Sequence, residues 1–251
     1  MKTDRTPLTV VTYNIHKGFS QFNRRLVLHD IRDRLQAVGA DIVFLQEVQG
    51  AHLENAKRHR TWPEVGQHEY LAIDGAHAAY GLNATHQHGH YGSAIVSRFP
   101  ILKSENIDVS HHVLESRGLL HCEIEMPGSK ERLHCINVHL GLWERSRRMQ
   151  IGWLCERIRE AVPDGAPLIV AGDFNDWRRR ASNVLGRELG LAEAFECCHG
   201  RSARSFPARL PMFSLDRIYV RGLGVDSAQR LDGALWSRLS DHMALSATLT
   251  R

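Results

Sequence analysis

Six places in this 251-residue chain carry the side chains best suited to chemistry: Asn14, Glu47, His139, Asp173 with Asn175, Asp216, and Asp241 with His242. Brought together, Glu47, Asp173, Asp216 and Asp241 would repel one another unless a cation sat among them. Hard oxygen ligands of this kind suit Mg²⁺ or Mn²⁺, whereas zinc would draw more nitrogen or sulfur. With His139, His242, the two carboxamides and Arg117 added, the set contains a metal site, a base, an anion clamp and a leaving-group donor. Those are the parts needed for water to attack a phosphate ester. No nucleophilic Ser or Cys motif competes. Singly, each residue also fits a turn former, a solvated strand end or an ordinary surface histidine; it is their coincidence at six strand ends that points to a site.

Those ends follow from the apolar runs. Short β-branched or apolar segments at residues 8–13, 42–45, 93–96, 119–124, 133–138, 168–171, 217–220 and 244–249 read as strands, mostly buried. Asn14, Glu47, His139 and Asp173 with Asn175 follow strands, while Asp216 and Asp241-His242 precede them. For all six to line one rim, the two groups of strands must run in opposite directions, which predicts a mixed or antiparallel sheet with the site at its edge. Leu28, Ile31, Leu35 and Val38 stand at helical spacing before Gly39, a natural left-handed cap. A second helix is predicted over residues 145–161, with Trp153, Leu154, Ile158 and Ala161 on one face, ending before Pro163-Asp164-Gly165. The middle of the chain has strands without helices between them, so the expectation is an α+β layered fold rather than a simple βαβ alternation.

No linker, low-complexity tract or repeat divides the chain, and residues 1–251 are expected to form a single domain. The apolar fraction is 43% and the charged fraction 24%, ordinary for a soluble globular protein. Lys and Arg number 32 against 28 Asp and Glu, a net +4, which lacks the excess of a dedicated nucleic-acid coat or polybasic membrane binder. Five cysteines, an odd number without a CxxC pair, argue against a disulfide framework or a zinc site and for a reducing compartment. The N-terminus has no apolar stretch of signal-peptide length, and a cytoplasmic location is expected.

Several ordered motifs extend this reading. They are Thr12-Tyr13-Asn14-Ile15-His16, Leu45-Gln46-Glu47-Val48, Tyr91-Gly92-Ser93-Ala94 with Ser97-Arg98-Phe99-Pro100, and Asn137-Val138-His139-Leu140, followed by Ala171-Gly172-Asp173-Phe174-Asn175, Leu215-Asp216-Arg217-Ile218 and Ser240-Asp241-His242. As a set covering nearly the whole chain, they resemble the endonuclease/exonuclease/phosphatase superfamily, which includes DNase I, abasic-site nucleases, neutral sphingomyelinases and inositol polyphosphate 5-phosphatases. Asn14-Ile15-His16-Lys17-Gly18-Phe19, Phe22-Asn23-Arg24-Arg25 and Gly172-Asp173-Phe174-Asn175-Asp176-Trp177-Arg178 resemble the bacterial YbhP-like branch most closely.

The resemblance implies a four-layer αββα sandwich with two mixed β-sheets, of DNase I type. It implies a phosphodiesterase or phosphatase using Mg²⁺ or Mn²⁺ and an activated water, with Glu47 as principal metal ligand beside Asn14 and Asp241. Asp173 would orient or deprotonate the water, and Asn175 would hold it or the phosphate. His242, oriented by Asp216, would contact a phosphoryl oxygen, while His139 and Arg117 would bind phosphate and stabilise the charge of the transition state. The match departs from two branches. His139 stands where abasic-site nucleases carry a phosphate-binding tyrosine, and Val170-Ala171 replace the tryptophan of the inositol phosphatases before Gly172.

A small-molecule or lipid-headgroup phosphoester is therefore the favoured partner, with a DNA or RNA endo- or exonuclease as the alternative. A catalytically dead binding module is disfavoured, because every expected ligand is present. Arg178-Arg179-Arg180 could clamp a second phosphate or a nucleic-acid backbone, or simply open a solvated helix, and Trp143 and Trp177 could stack on a base or face a lipid, though burial is the commoner state of a tryptophan. His77, His86, His88 and His90, with His111-His112 further on, read as solvated loops around the Tyr91 strand, or as a rim that gains charge below about pH 6.5.

Overall fold

Successive strand residues point to opposite faces, and the central strands of this chain are apolar on both, so each sheet needs cover on two sides. In the computed structural model, which describes residues 7–73, 75–112 and 115–251, that cover is a second sheet inside and helices outside. In chain order the elements are β1 (Leu8–Asn14), α1 (Leu28–Val38), β2 (Ile42–His52), α2 (Leu53–Arg58), α3 (Gln67–Leu71), β3 (His77–His86), β4 (Gly89–Ser97), β5 (Ile101–Asp108) and β6 (Gly118–Ile124). They continue with β7 (Leu133–His139), α4 (Glu144–Ala161), β8 (Leu168–Asp173), α5 (Arg180–Leu189), β9 (Ala192–Glu193), α6 (Ala194–His199), β10 (Asp216–Arg221), β11 (Gly224–Arg230) and β12 (Leu245–Thr250).

One six-stranded sheet has the order β11-β12-β1-β2-β4-β3 and the other β5-β6-β7-β8-β10-β9. Both are mixed: β1–β2 and β7–β8 pair in parallel, the other neighbours antiparallel. The expected four-layer α+β sandwich is thus what the chain forms. Alternation along single strands builds the layers. Val10, Ile42 and Phe44 face Cys122, Cys135 and Ile169 between the sheets, while Val11, Val43 and Leu45 turn outward to Leu28, Ile31 and Leu35 of α1. On the far side Ile136, Val138 and Val170 pack against Leu154, Cys155 and Ile158 of α4 and Leu185 of α5.

α1 ends as expected, with Gly39 at φ 63° and its N–H on the Gln36 carbonyl; a β-branched residue there would cost roughly 1–2 kcal/mol. α4 spans nearly the expected residues, but its inward face is Ile151, Leu154, Cys155 and Ile158, and Trp153 and Ala161 lie only at its margin. The sequence reading of 77–90 as loop is corrected. His77–His86 is a strand that pairs antiparallel with Gly89–Ser97, a hairpin whose partly polar strand at the sheet edge lacks an apolar alternation. β5, β9, β11 and the helices α2, α3 and α6 were likewise not expected, while α5 starts at Arg180, in the basic run whose second reading was a solvated helix start.

Candidate active site

The two sheets bring their site residues together at one end of the sandwich. The site therefore lies between sheets rather than at the edge of one, which corrects the sequence expectation. Asn14 ends β1, Glu47 lies on β2, His139 ends β7 and Asp173 ends β8. His139 is in register with Asp173 across the parallel pair, and Asp216, the first residue of β10, is in register with Asp173 across the antiparallel one. The opposed directions inferred from the sequence are thus what align these residues. Gly172 lets β8 approach β7 here, because a Cβ on it would sit 2.0 Å from the Val138 carbonyl oxygen, and its φ is 143°.

Glu47 does not follow β2, as expected, but sits inside it. The β2–β4 register shifts between Leu45 and Val48, and Glu47 takes φ 56° at that irregularity. Such a break re-aims a side chain that regular pleating would send elsewhere, and for a non-glycine residue left-handed backbone carries a cost of about 1–2 kcal/mol. Buried carboxamides hold the break in place. Gln46 Nε2 donates to Asn137 Oδ1 across the sheets (2.8 Å), and Asn137 Nδ2 donates to the carbonyls of Leu45 and Ala94 (2.8 Å each).

Asp173 is the hub. Its Oδ2 accepts from Asn14 Nδ2 (3.3 Å) and lies 3.6 Å from His139 Nε2 and 3.8 Å from His242 Nε2, while Oδ1 accepts from the Asn175 backbone N–H (2.9 Å). Asn14 Nδ2 also reaches Glu47 Oε1 (3.3 Å), and Asn14 Oδ1 accepts from the His16 N–H (3.1 Å). His242 Nδ1–H donates to Asp216 Oδ2 (2.9 Å), which fixes the ring and turns Nε2 toward Asp173. Asn175, itself at φ 49°, anchors its side chain on the Leu140 carbonyl (3.0 Å). Ser240, given no role in the sequence reading, joins Asp241-His242 to β1: its hydroxyl donates to the Asn14 carbonyl (2.7 Å) and accepts from the His242 N–H (3.2 Å).

Glu47, Arg117, His139, Asp173, Asn175, Asp241 and His242 all line one open cavity of about 440 Å³, so the expected residues are brought together, with Asn14 at its base through Glu47 and Asp173. Arg117 is steadied by its Nε on the Leu140 carbonyl (3.2 Å). Lys17 also belongs here, its ammonium 4.0 Å from Glu47 and 5.4 Å from the Tyr91 ring centre. The sequence reading placed it inside a motif without a role. Leu142, Trp177, Phe206, Phe213 and Leu215 complete the wall and were not singled out as a group.

The proton affinities diverge within this small space. Burial lowers that of His242, but the carboxylates of Asp216 and Asp173 outweigh it and push the pKa up to about 10. His139 goes the other way, held well below the ordinary histidine range by burial and by Arg117. Asp173 is raised, by burial first and by Asp216. One imidazolium and one neutral imidazole therefore flank a carboxylate of raised basicity. Asp173, Asp216 and His242 also offer a cation ligand atoms within 4.8 Å of one another, but all three are buried and His242 Nδ1 is committed to Asp216 Oδ2. Glu47 and Asp241, both partly exposed to the cavity, are the carboxylates left for one.

The chain also resembles known proteins. Residues 11–242 match the model of the Endonuclease/Exonuclease/phosphatase family. Escherichia coli YbhP, described as an uncharacterized protein, is 45% identical over 249 residues, 99% of this chain and 98% of that protein. Among solved structures, an endonuclease/exonuclease/phosphatase from Beutenbergia cavernae superposes with a TM-score of 0.78 at 18% identity, covering 98% of this chain and 72% of that one. The D. rerio TDP2 structure complexed with a single strand DNA product superposes at 0.72 and 20% identity, covering 98% of this chain and all (100%) of that one. At these identities the structural likeness speaks for the fold.

Proposed function

Because the chain belongs to the endonuclease/exonuclease/phosphatase family, whose members act on phosphoester bonds, we propose that it is a divalent-metal-dependent phosphodiesterase or phosphatase working through an activated water. The observation that carries this reading is the convergence of Asn14, His139, Asn175 and His242 on the buried Asp173 carboxylate at the cavity floor.

The donor set beside that floor fits a hard cation. Glu47 and Asp241 would supply carboxylate oxygens, Asn14 would add its carboxamide oxygen by turning the group whose Nδ2 now faces Glu47, and among the described residues no thiol lines the cavity. These residues would hold Mg²⁺ or Mn²⁺, which when bound supplies Lewis-acid polarisation of the phosphoryl group. Asp173 Oδ2 takes a proton from water as the water oxygen bonds to phosphorus. The bond from phosphorus to the leaving oxygen breaks, and the departing alkoxide takes a proton from solvent. A carboxylate of raised basicity suits that role, since a base works best with a pKa near the working pH. The His242 imidazolium offers its Nε2–H to a phosphoryl oxygen while Asp216 keeps the ring oriented. Arg117 and His139 bind the phosphate from the opposite wall, where donors aimed at the developing charge stabilise the transition state.

A small or lipid phosphoester is the favoured substrate over DNA or RNA. The basic run offered as a second clamp is partly neutralised: Arg178 and Arg180 share Glu144, and Arg179 pairs with Glu196. All five cysteines are free thiols, which supports a reducing compartment such as the cytoplasm. The test is a panel of phosphomonoesters, phosphodiesters and plasmid, abasic-site and single-stranded DNA, assayed in Mg²⁺ and in Mn²⁺ with Asp173→Ala as control. Turnover by wild type that disappears in the variant supports the reading. A wild-type protein inert on every phosphoester, or a variant that equals it, defeats the reading.

A further inference from the structure

The cavity is polar at its floor and apolar at its lip. Leu142, Trp177 and Phe213 line it and are nevertheless 59%, 47% and 44% exposed. The apolar surface continues outward along the chain, into Trp143 beside Leu142 and into Leu210 and Met212 beside Phe213, at 62%, 69% and 56% exposure. These are not loose ends. The segment holding Leu210 and Met212 folds back on itself through Met212 N–H on the Phe206 carbonyl (2.8 Å). It is tied directly to the catalytic turn by Ala208 N–H on the Asp241 carbonyl (2.7 Å) and Met243 N–H on the Ser205 carbonyl (2.8 Å). A fixed, exposed apolar lip of this kind marks a surface that a ligand or partner covers.

The character of the lip distinguishes its occupants. Nucleobases want flat aromatic faces and a run of unpaired cations along the backbone. Here the Arg147 guanidinium stacks 4.6 Å from the centre of the Trp177 ring, Arg178, Arg179 and Arg180 are bound to Glu144 and Glu196, and Leu142, Leu210 and Met212 set aliphatic side chains among the aromatic ones. Arg145 and Arg209, in contrast, are exposed, have no ion pair among the described residues, and stand next to the lip at Trp143 and Leu210. Apolar side chains flanked by free cations suit the surface of an anionic bilayer.

We propose that the lip docks on an anionic phospholipid surface, and that the substrate is a lipid phosphoester with its phosphate on the cavity floor and its apolar portion against Leu142, Trp177 and Phe213. The substrate half of this proposal rests on the phosphoester-hydrolase reading above; the docking half stands without it.

The test is co-sedimentation of the full chain with vesicles of phosphatidylcholine, with and without phosphatidylglycerol. Wild type is compared with a Trp143→Ser/Leu210→Ser variant and with Arg145→Glu/Arg209→Glu, none of which lines the cavity. Hydrolysis of the soluble diester bis(p-nitrophenyl) phosphate is measured alongside. Wild type is expected to bind the phosphatidylglycerol vesicles, and each variant to lose about tenfold or more in vesicle affinity while its soluble-diester turnover is unchanged. Because the altered side chains are exposed, unchanged thermal melting together with unchanged diester turnover shows that the variants are folded; Met212→Ser provides an independent third substitution. Wild type that ignores the vesicles, or variants that bind as wild type does, overturns the docking. Loss of single-stranded oligonucleotide binding with vesicles unaffected also overturns it and assigns the lip to nucleic acid. Vesicle binding without hydrolysis of any phosphoester would instead remove the catalytic reading and leave the docking.

Discussion

The two ends of β7 each present a histidine to a buried network, and the partners these histidines meet, His121 at the start and His242 at the end, hold their protons in opposite ways. At its start His134 Nδ1 meets His121 Nε2 (3.0 Å), and Arg157 Nε donates to His121 Nδ1 (3.1 Å). Burial, reinforced by the Arg157 guanidinium and by His134, holds His121 down at about 4. At its end His139 faces Asp173 and His242, where Asp216 and Asp173 overcome burial and lift His242 to about 10. Burial alone therefore says little about a histidine. The surrounding charges decide: His139, buried and with Arg117, His242 and Lys17 about it, is lowered as His121 is, whereas His242, held by Asp216 and Asp173, is raised.

Substitutions test that contrast. The largest effect is expected from Asp173→Ala, which should lower kcat on a phosphodiester by about 10²–10⁴-fold, the usual worth of a positioned base, with secondary structure intact by circular dichroism. Equal kcat would remove Asp173 from the chemistry. Next comes the cation. Mg²⁺ or Mn²⁺ at a hundredfold excess over Kd should stabilise wild type by about 2.7 kcal/mol, and Glu47→Gln should abolish this shift in thermal melting; a variant that still responds would move the site away from Glu47. Asp216→Asn should reduce kcat by roughly 10–100-fold, because it frees the His242 ring that it orients. An unchanged rate would make that pair merely structural.

The smallest effects are on stability and have opposite signs in pH, measured in chelator. His121 has a depressed folded pKa, so its contribution is present above the ordinary 6.5 and is lost as pH falls through about 4. His242 has a raised folded pKa, so its contribution is complete below 6.5 and is lost as pH rises through about 10. Against His121→Gln the wild type should therefore lose its relative advantage on the acid side, and against His242→Gln on the alkaline side, each with a slope of at most about 1.4 kcal/mol per pH unit. Denaturant unfolding across pH checks both, and slopes of the same sign would show that the two ends do not differ as described.

The strands that carry the site were legible because they are buried on both faces and read as apolar runs, unbroken in residues 168–171 and interrupted by His134 and Asn137 in residues 133–138. β5 and β11 were not, since Ile101–Asp108 and Gly224–Arg230 are mostly exposed and polar, and their strand conformation comes from pairing with a neighbour. α5 left a usable signal in Ala181, Leu185 and Leu189 at i, i+4, i+8, masked by Asn183 and Gly186, which are poor helix formers. Glu47 was legible as a site residue but not as part of a strand, because its bulge is imposed by β4 and by carboxamides reaching across from Asn137.

Residue identity and local period settle a good deal here: which side chains can do chemistry, which runs become buried strands, and that the strands bearing the acids must run both ways. They leave open which ends meet. Asn14 and Asp173 touch across 159 positions of sequence, and Ser240 reaches the Asn14 carbonyl across 226. Such contacts are encoded in no local pattern; the first exists because one sheet packs on the other, the second because β12 pairs with β1. The same holds for the opposed proton affinities of His121 and His242, since a side chain's electrostatic surroundings are composed of neighbours that the chain brings in only when it folds.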